Sequence, residues 1–142
     1  MKKPIEVCQE NEENRLYVLV FLTNACNYKC WYCYNDKCGN TRCINIDFVY
    51  KFIIMLMKYT CRKLFINFIG GEPTLHSSLF TLLSRLQNIP DAKCAVITNL
   101  AKTIDYYADL CKFGCIITAS YHPEFAEKDE FIHKVVYLEQ NF

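Results

Sequence analysis

The sequence predicts an α/β protein with a mostly parallel sheet, and three observations support this class. Apolar, β-branched runs of strand length alternate with longer segments whose apolar residues recur at helical spacing. This strand-helix alternation occurs four times within 142 residues, a length that suits one domain. Hydrophobic residues make up 52% of the chain, which is enough for a buried core. We therefore expect a single domain over residues 1–142, built from right-handed βα units.

The first predicted strand is Arg15–Thr23 (RLYVLVFLT), whose nearly continuous apolar run is typical of a strand covered on both faces. The segment around Ile5 to Val7 can cover its outer edge. A helix follows, with Asn45 or Asp47 as its N-cap. The later predicted strands are Lys63–Ile69, Ala92–Asn99 and Cys115–Tyr121. The second helix places Leu75, Leu79, Leu82, Leu83 and Leu86 on one face, and the third helix ends at Gly114. The fourth helix runs from about Glu127 to Gln140, with Phe131, Val135 and Leu138 at helical spacing.

Charge and hydropathy argue against several classes of protein. Sixteen basic and fifteen acidic residues give a net charge of +1 without long blocks of either sign, so nothing indicates a nucleic-acid or membrane surface. The N-terminal lysines precede an acidic segment, not the apolar region of a secretory signal. The apolar run Phe52–Met57 is far shorter than the roughly 20 residues that span a bilayer. We expect a cytoplasmic protein, in which cysteine clusters bind metals or act in catalysis.

Polar residues follow each predicted strand at the same end. A cysteine-rich loop follows the first strand, Gly70–Pro73 (GGEP) the second, Thr98 and Asn99 the third, and Ser120–His122 the fourth. In parallel sheets the chemistry gathers at the carboxyl ends of the strands. We therefore expect these four polar sets to share one rim of the sheet.

The cysteine-rich loop contains the segment TNACNYKCWYCYN, in which Cys26, Cys30 and Cys33 have the spacing C-x3-C-x2-C. A structural zinc site takes four ligands, usually as two short-spaced pairs. A four-iron cluster commonly takes four thiolates, so three thiolates leave one iron open to a small molecule. A zinc knuckle that also draws on Cys38 and Cys43 remains the alternative.

The spacing of Cys26, Cys30 and Cys33, with Tyr32 before the last cysteine, resembles the signature of the radical S-adenosylmethionine (SAM) superfamily. GGEPTLH, residues 70–76, resembles the GGEP motif of the same family. The resemblance implies a partial (β/α) barrel and a [4Fe-4S] cluster held by the three cysteines, with SAM on the open iron. It further implies reductive cleavage of SAM to a 5′-deoxyadenosyl radical, a low-potential electron donor, and a substrate that the sequence does not identify.

The resemblance also suggests which residues bind the cofactor. Glu72 supplies a carboxylate for the SAM ammonium group, and two glycines let the backbone approach a ligand closely. The full expected set is Tyr32, Gly70, Gly71, Glu72, Thr98, Asn99, Ser120 and His122. Each of these residues also has a purely structural interpretation. GGEP can be an ordinary strand-to-helix turn, Thr98 and Asn99 can form a loop with an N-cap, and His122 can be a satisfied surface histidine.

Other residues near the cysteines receive simpler interpretations. Tyr28, Trp31 and Tyr34 are expected to pack around the cluster as an apolar shell. The remaining cysteines are expected to be buried small hydrophobes or incidental thiols, and they are Cys8, Cys61, Cys94, Cys111 and Cys115.

The sequence departs from the family in two respects. The family core usually has six βα units, whereas four are predicted here, so the fifth strand with its adenine-supporting motif is missing. Leu100 replaces the usual glycine after Thr-Asn. Two functions therefore stay open: a radical SAM enzyme or its N-terminal part, and a non-catalytic iron-sulfur remnant or partner subunit. The fourth predicted strand has no later strand to pair with, which predicts self-association at that edge.

Overall fold

The computed structural model describes residues 5–10, 14–35 and 42–142, and this part of the chain contains one five-stranded sheet. The strands lie side by side in the order in which they occur in the chain. β1 runs antiparallel to β2, and every later strand runs parallel to its predecessor, which confirms the predicted α/β class. The strands are β1 (Ile5–Glu10), β2 (Arg15–Thr23), β3 (Lys63–Gly70), β4 (Ala92–Thr98) and β5 (Cys115–Ala119).

Helices follow each of the four parallel strands. They are α1 (Ile46–Thr60), α2 (Leu79–Leu86), α3 (Ile104–Lys112) and α4 (Lys128–Asn141). Of the two N-caps predicted for α1, the structure shows Asn45, whose side-chain oxygen accepts hydrogen bonds from the backbone N–H groups of Asp47 and Phe48 at 2.8 and 3.3 Å. Gly114 lies just beyond α3 at φ +69°, a left-handed conformation that glycine adopts without strain.

The predicted helical face after β3 is wrong at its first residue. Leu75 belongs to a separate 3-10 helix (Pro73–Leu75), and His76 then takes an extended conformation before α2 begins. Leu75 is 37% exposed, while the other four leucines of the predicted face are buried. The helical spacing continues across this break by coincidence, because the extended backbone at His76 separates the 3-10 helix from α2.

The core lies between the helices and one face of the sheet. Leu16, Val18, Val20 and Leu22 of β2 are buried, whereas the residues between them on the opposite face are only half-buried. The expectation that β2 is covered on both faces is therefore wrong for the described residues. Its unbroken apolar run reflects one packed face and one partly open face.

The topology gathers the carboxyl ends of the four parallel strands at one rim. Thr23 at the end of β2 pairs with Gly70 at the end of β3, and Thr98 at the end of β4 pairs with Ala119 at the end of β5. The segments that leave these strands therefore start next to one another.

The edge of the sheet formed by β5 has no further strand beside it in the described part of the chain. Within the described ranges β5 pairs only with β4. A largely apolar cavity of about 600 Å³ lies beside it, between β5, α3 and α4. None of the helices in the described ranges is long and apolar enough to cross a membrane.

Candidate functional site

The three cysteines of the C-x3-C-x2-C segment lie at the rim where β2 ends. Cys26 and Cys33 are exposed, and Cys30 is buried. The sulfur of Cys26 accepts a hydrogen bond from the backbone N–H of Tyr28, and that of Cys33 from the N–H of Asn35, both at 3.4 Å. Each of these two sulfurs therefore has a backbone donor two residues further along the chain.

The two glycines of GGEP dock this cysteine loop onto β3. The backbone N–H of Gly71 donates to the Thr23 carbonyl at 2.8 Å, and that of Glu72 to the Ala25 carbonyl at 2.7 Å. A Cβ atom at Gly71 would lie 2.1 Å from the Ala25 oxygen, and one at Gly70 equally close to the Thr23 oxygen. The glycines therefore allow a close backbone approach, as predicted, but the partner in this structure is the cysteine loop itself.

Glu72 is buried, with 2% of its surface exposed, and its carboxylate accepts four hydrogen bonds. Oε1 accepts from the backbone N–H of Thr74 at 3.1 Å, from the Thr74 hydroxyl at 2.7 Å and from the Thr98 hydroxyl at 2.8 Å. Oε2 accepts from the backbone N–H of Asn99 at 2.8 Å. Within the described part of the chain, no lysine, arginine or histidine forms an ion pair with this carboxylate.

The residues after β4 extend this network in two directions. Because the Thr98 hydroxyl donates to Glu72, the Tyr107 hydroxyl 3.3 Å away donates to Thr98, and Tyr107 in turn accepts from the N–H of Lys102. The side-chain nitrogen of Asn99 donates to the Asn27 side-chain oxygen at 2.9 Å, which links β4 to the cysteine loop. Thr103, and not Asn99, is the residue at the N-cap of α3.

A histidine that the sequence reasoning passed over, His76, fixes the far end of the cysteine loop. Its Nδ1 accepts from the N–H of Ser78 at 3.2 Å, so the ring proton lies on Nε2 and is donated to the Ile44 carbonyl at 3.0 Å. The contacts of His76, Thr74 and Asn27 depend on the folded backbone, and their residue types alone give no sign of them.

Aromatic rings connect the cysteine loop to the segment after β5. Tyr28 stacks on Phe125 at a centroid distance of 4.9 Å, and the Tyr32 ring lies parallel to that of His122. Trp31 is 80% exposed and Tyr34 is 64% exposed. The expected shell of three packed aromatic residues is therefore reduced to Tyr28, because Trp31 and Tyr34 largely face solvent.

A cavity of about 300 Å³ opens at this rim between the cysteine loop and the ends of β3, β4 and β5. All eleven residues predicted to bind the cluster or the cofactor line its wall, so the structure brings the whole predicted set together. The lining residues are Cys26, Tyr28, Cys30, Tyr32, Cys33, Tyr34, Ile69, Gly70, Gly71, Glu72, Ile97, Thr98, Asn99, Ser120 and His122.

Comparison with known protein families agrees with this geometry. A sequence model of the radical SAM superfamily matches residues 20–137, which include the end of β2, the cysteine loop, GGEP and the three later parallel strands. The chain belongs to the radical SAM superfamily. The similarity to this superfamily thus covers most of the chain and not only its two motifs.

Individual relatives within the superfamily are distant. A GTP 3′,8-cyclase of Chlorobaculum tepidum is 33% identical over 94 residues, which are 66% of this chain and 28% of that protein. GTP 3′,8-cyclases of Stenotrophomonas maltophilia and Listeria monocytogenes are 30% and 25% identical over 58% and 68% of this chain, and 26% and 29% of their own lengths. The chain thus spans less than a third of these curated relatives. No solved structure matches it.

The donor set fits the iron-sulfur cluster that radical SAM proteins typically use. Cluster ligands bind separate irons, so their sulfurs surround a space instead of converging on one point. Among the described residues, no three histidine, cysteine, aspartate or glutamate side chains converge on a single ion. Although Cys26 is exposed as a residue, partial desolvation of its sulfur raises the pKa of the thiol, so a metal that binds it as a thiolate would displace a proton.

The remaining cysteines fall into two groups. Cys94 and Cys115 are buried in the core, where burial raises the pKa of Cys94 to about 12 and that of Cys115 further, and both stay neutral thiols. Cys61 is exposed and Cys111 is half-buried. Cys43 lies next to Thr23, and Cys38 lies outside the described residues.

Leu100, at the position of the usual family glycine, has a left-handed backbone conformation. Its φ of +55° lies in a region that costs an ordinary residue about 1–2 kcal/mol. Its side chain is buried in the core, which offsets this cost. The backbone at this position therefore has a conformation that glycine adopts more readily than leucine.

Proposed function

We propose that this radical SAM protein binds a [4Fe-4S] cluster through Cys26, Cys30 and Cys33 and binds SAM in the adjoining cavity. With cluster and SAM bound, the chemistry supplied is reductive cleavage of SAM to a 5′-deoxyadenosyl radical, with electrons from a low-potential donor. The chain's own residues hold the cluster, orient the cofactor and limit the access of water.

One observation carries this proposal: three thiols line the same cavity as a buried carboxylate that has no ion-pair partner among the described residues. A buried charge is costly unless it is compensated, and the four hydrogen bonds to Glu72 stabilise its negative charge without neutralising it. Oε2 accepts a single hydrogen bond and so keeps an acceptor site for a cationic group such as the SAM ammonium.

The size of the cavity and the length of the relatives support a further proposal, that the site is partial. Ligand cavities usually measure about 300–1,000 Å³, and this one is at the lower end of that range. The matched relatives extend well beyond the part that this chain covers. We therefore propose that residues 1–142 form the N-terminal part of a six-unit core, and that this part alone cleaves SAM weakly and without coupling to a substrate.

Anaerobic reconstitution followed by reduction and chromatography for 5′-deoxyadenosine tests the proposal. We expect about four irons per chain and slow formation of 5′-deoxyadenosine that requires both SAM and the three cysteines. The assay is run with and without GTP, because the relatives are named as GTP 3′,8-cyclases. A cluster without any cleavage of SAM supports the non-catalytic alternative. Fast cleavage coupled to a substrate contradicts the proposed partial site.

Replacement of Glu72 is expected to weaken SAM binding by roughly tenfold or more. A charge-assisted hydrogen bond contributes about 1.5–3 kcal/mol, and 1.4 kcal/mol corresponds to a tenfold change in affinity. Glu72→Ala also leaves buried donors of Thr74, Thr98 and Asn99 without an acceptor, so it lowers the free energy of unfolding as well. Glu72→Gln keeps the shape and one oxygen acceptor, and it is the cleaner variant for calorimetric measurement of SAM binding.

Iron content separates a loss of SAM binding from a loss of the folded site in the Glu72 variants, because the cluster should remain in Glu72→Gln. Glu124→Gln is the matched control, since it removes an exposed carboxylate from the segment that follows β5. We expect this control to bind SAM like the wild type. Equal SAM affinity in Glu72→Gln and the wild type would contradict the proposed role of Glu72.

We further propose that the open edge of β5 pairs with a second copy of the chain. An apolar strand with unpaired backbone groups is a site for strand pairing, and Ile116 on β5 is 46% exposed. Ile116→Lys should shift the protein toward monomer in sedimentation velocity, because a charge at an edge strand opposes pairing. Ile54→Lys, on the similarly exposed surface of α1, should leave the association unchanged. A wild-type protein that stays monomeric at high concentration would refute this proposal.

A further inference from the structure

The sulfur of Cys30 differs from those of Cys26 and Cys33 in the origin of its polar contact. Cys26 and Cys33 accept hydrogen bonds from backbone N–H groups of their own loop. The buried sulfur of Cys30 instead lies 3.3 Å from Nδ1 of His122, a residue 92 positions later in the chain. A side chain from beyond β5 therefore supplies one contact to this sulfur, beside the hydroxyl of Tyr32 from the cysteine loop itself.

The chemistry of an iron ligand determines the direction of this hydrogen bond. In the free thiol, either Cys30 or His122 can carry the shared proton. Once Cys30 binds iron as a thiolate, its sulfur has no proton to give, so the bond forms in the tautomer that carries the proton on Nδ1, which then donates it. The bond is then an N–H···S bond to a cluster ligand.

The surroundings of His122 hold its ring in this position. The Tyr32 ring lies parallel to it with an interplanar angle of 2°, and the edge of Tyr28 packs against it at a centroid distance of 5.7 Å. The Tyr32 hydroxyl lies 3.0 Å from the same Nδ1, and its oxygen accepts a second branch of this hydrogen bond when Nδ1 carries the proton. The ring is thus fixed by two aromatic neighbours from the cysteine loop.

We infer that His122 is a positioning residue that donates a hydrogen bond to the Cys30 thiolate and thereby raises the reduction potential of the bound cluster. Hydrogen bonds to the sulfurs are one of the factors that set cluster potentials, because they stabilise the more negative, reduced state. This inference rests on the proposed function, since it requires that Cys30 be a cluster ligand. It gives His122 a role toward the cluster that is separate from any contact with SAM.

The test is a redox titration of the reconstituted protein without SAM, followed by electron paramagnetic resonance at one fixed pH. His122→Phe keeps a ring for the contacts with Tyr28 and Tyr32 but removes the donor. We expect its potential to be more negative, by about a tenfold change in the ratio of reduced to oxidised cluster at a given potential, or 59 mV for one electron. His122→Asn places an N–H at the same number of bonds from the backbone as Nδ1 and should restore most of the shift.

The control is His133→Phe, the same substitution at an exposed position of α4, which should leave the potential unchanged. Equal potentials in His122→Phe and the wild type would overturn the inference. Loss of the cluster from both His122 variants would also overturn it, because the hydrogen bond is inferred to tune a cluster that the cysteines hold. A wild-type protein without iron would instead refute the proposed function itself, so the two failures are distinguishable.

Discussion

Cys30→Ala protein, reconstituted anaerobically, is expected to lose the brown chromophore and nearly all of its iron. Three thiolates leave one of the four irons of a cubane without a protein ligand, so removal of one thiolate leaves two such irons. Cys30 is buried, and its truncation also perturbs packing. Cys33→Ala is therefore the companion variant, because Cys33 is exposed and its loss should remove the cluster at little cost in stability.

Iron analysis and absorbance spectra of four proteins decide this prediction. Cys61→Ser, at an exposed thiol beyond the end of α1, should keep about four irons per chain. Cys43→Ala should also keep them, and its failure to do so would make Cys43 a ligand. Four irons retained in Cys30→Ala, or stoichiometric zinc in native protein purified anaerobically, would contradict the cluster assignment.

Gly71→Ala is expected to destabilise the protein by about 3 kcal/mol or more, within the range of severe steric effects. The new Cβ would lie 2.1 Å from the Ala25 carbonyl oxygen, a backbone atom that cannot turn aside. To relieve this clash, the cysteine loop must move away from β3. This movement breaks the hydrogen bond from the backbone N–H of Glu72 to the Ala25 carbonyl. We therefore expect both a lower free energy of unfolding in urea and loss of the cluster.

Gly114→Ala provides the matched control for backbone effects. Gly114 has a left-handed φ of +69°, but no atom lies within 4 Å of a Cβ built there. This variant should cost only the conformational penalty of about 1–2 kcal/mol and should keep its iron. Equal destabilisation by the two alanines would show that crowding between Gly71 and the cysteine loop is not the cause.

The sequence predicts the rim of this site well, because its signals are local. Apolar β-branched runs locate the four parallel strands, and the rule that parallel strands end at one edge brings Cys30, Glu72 and His122 to one cavity. The same local signals cannot report how a strand is covered. The apolar run of β2 looks the same whether its second face is packed or half-open.

Interactions over longer distances explain the other differences. The hydrogen bonds of Glu72 with Thr98 and of Asn99 with Asn27 join segments that are far apart in the chain, and no spacing rule encodes them. The pattern of aromatic residues around the cysteines predicts an apolar shell that includes Trp31, yet Trp31 lies in a turn from Cys30 to Cys33 and is exposed. Residue type alone cannot show on which side of such a turn a side chain lies.

The strand order of the sheet has a consequence for how the site is completed during synthesis. Because each strand is added beside its predecessor, the sheet can grow outward from β2 as the chain leaves the ribosome, with few long loops to close. The cysteine loop is made early, whereas His122, 92 residues after Cys30, emerges late. The three thiols are therefore synthesised well before the segment after β5 that completes the wall beside Cys30. We expect the stable incorporation of iron to follow the emergence of β5.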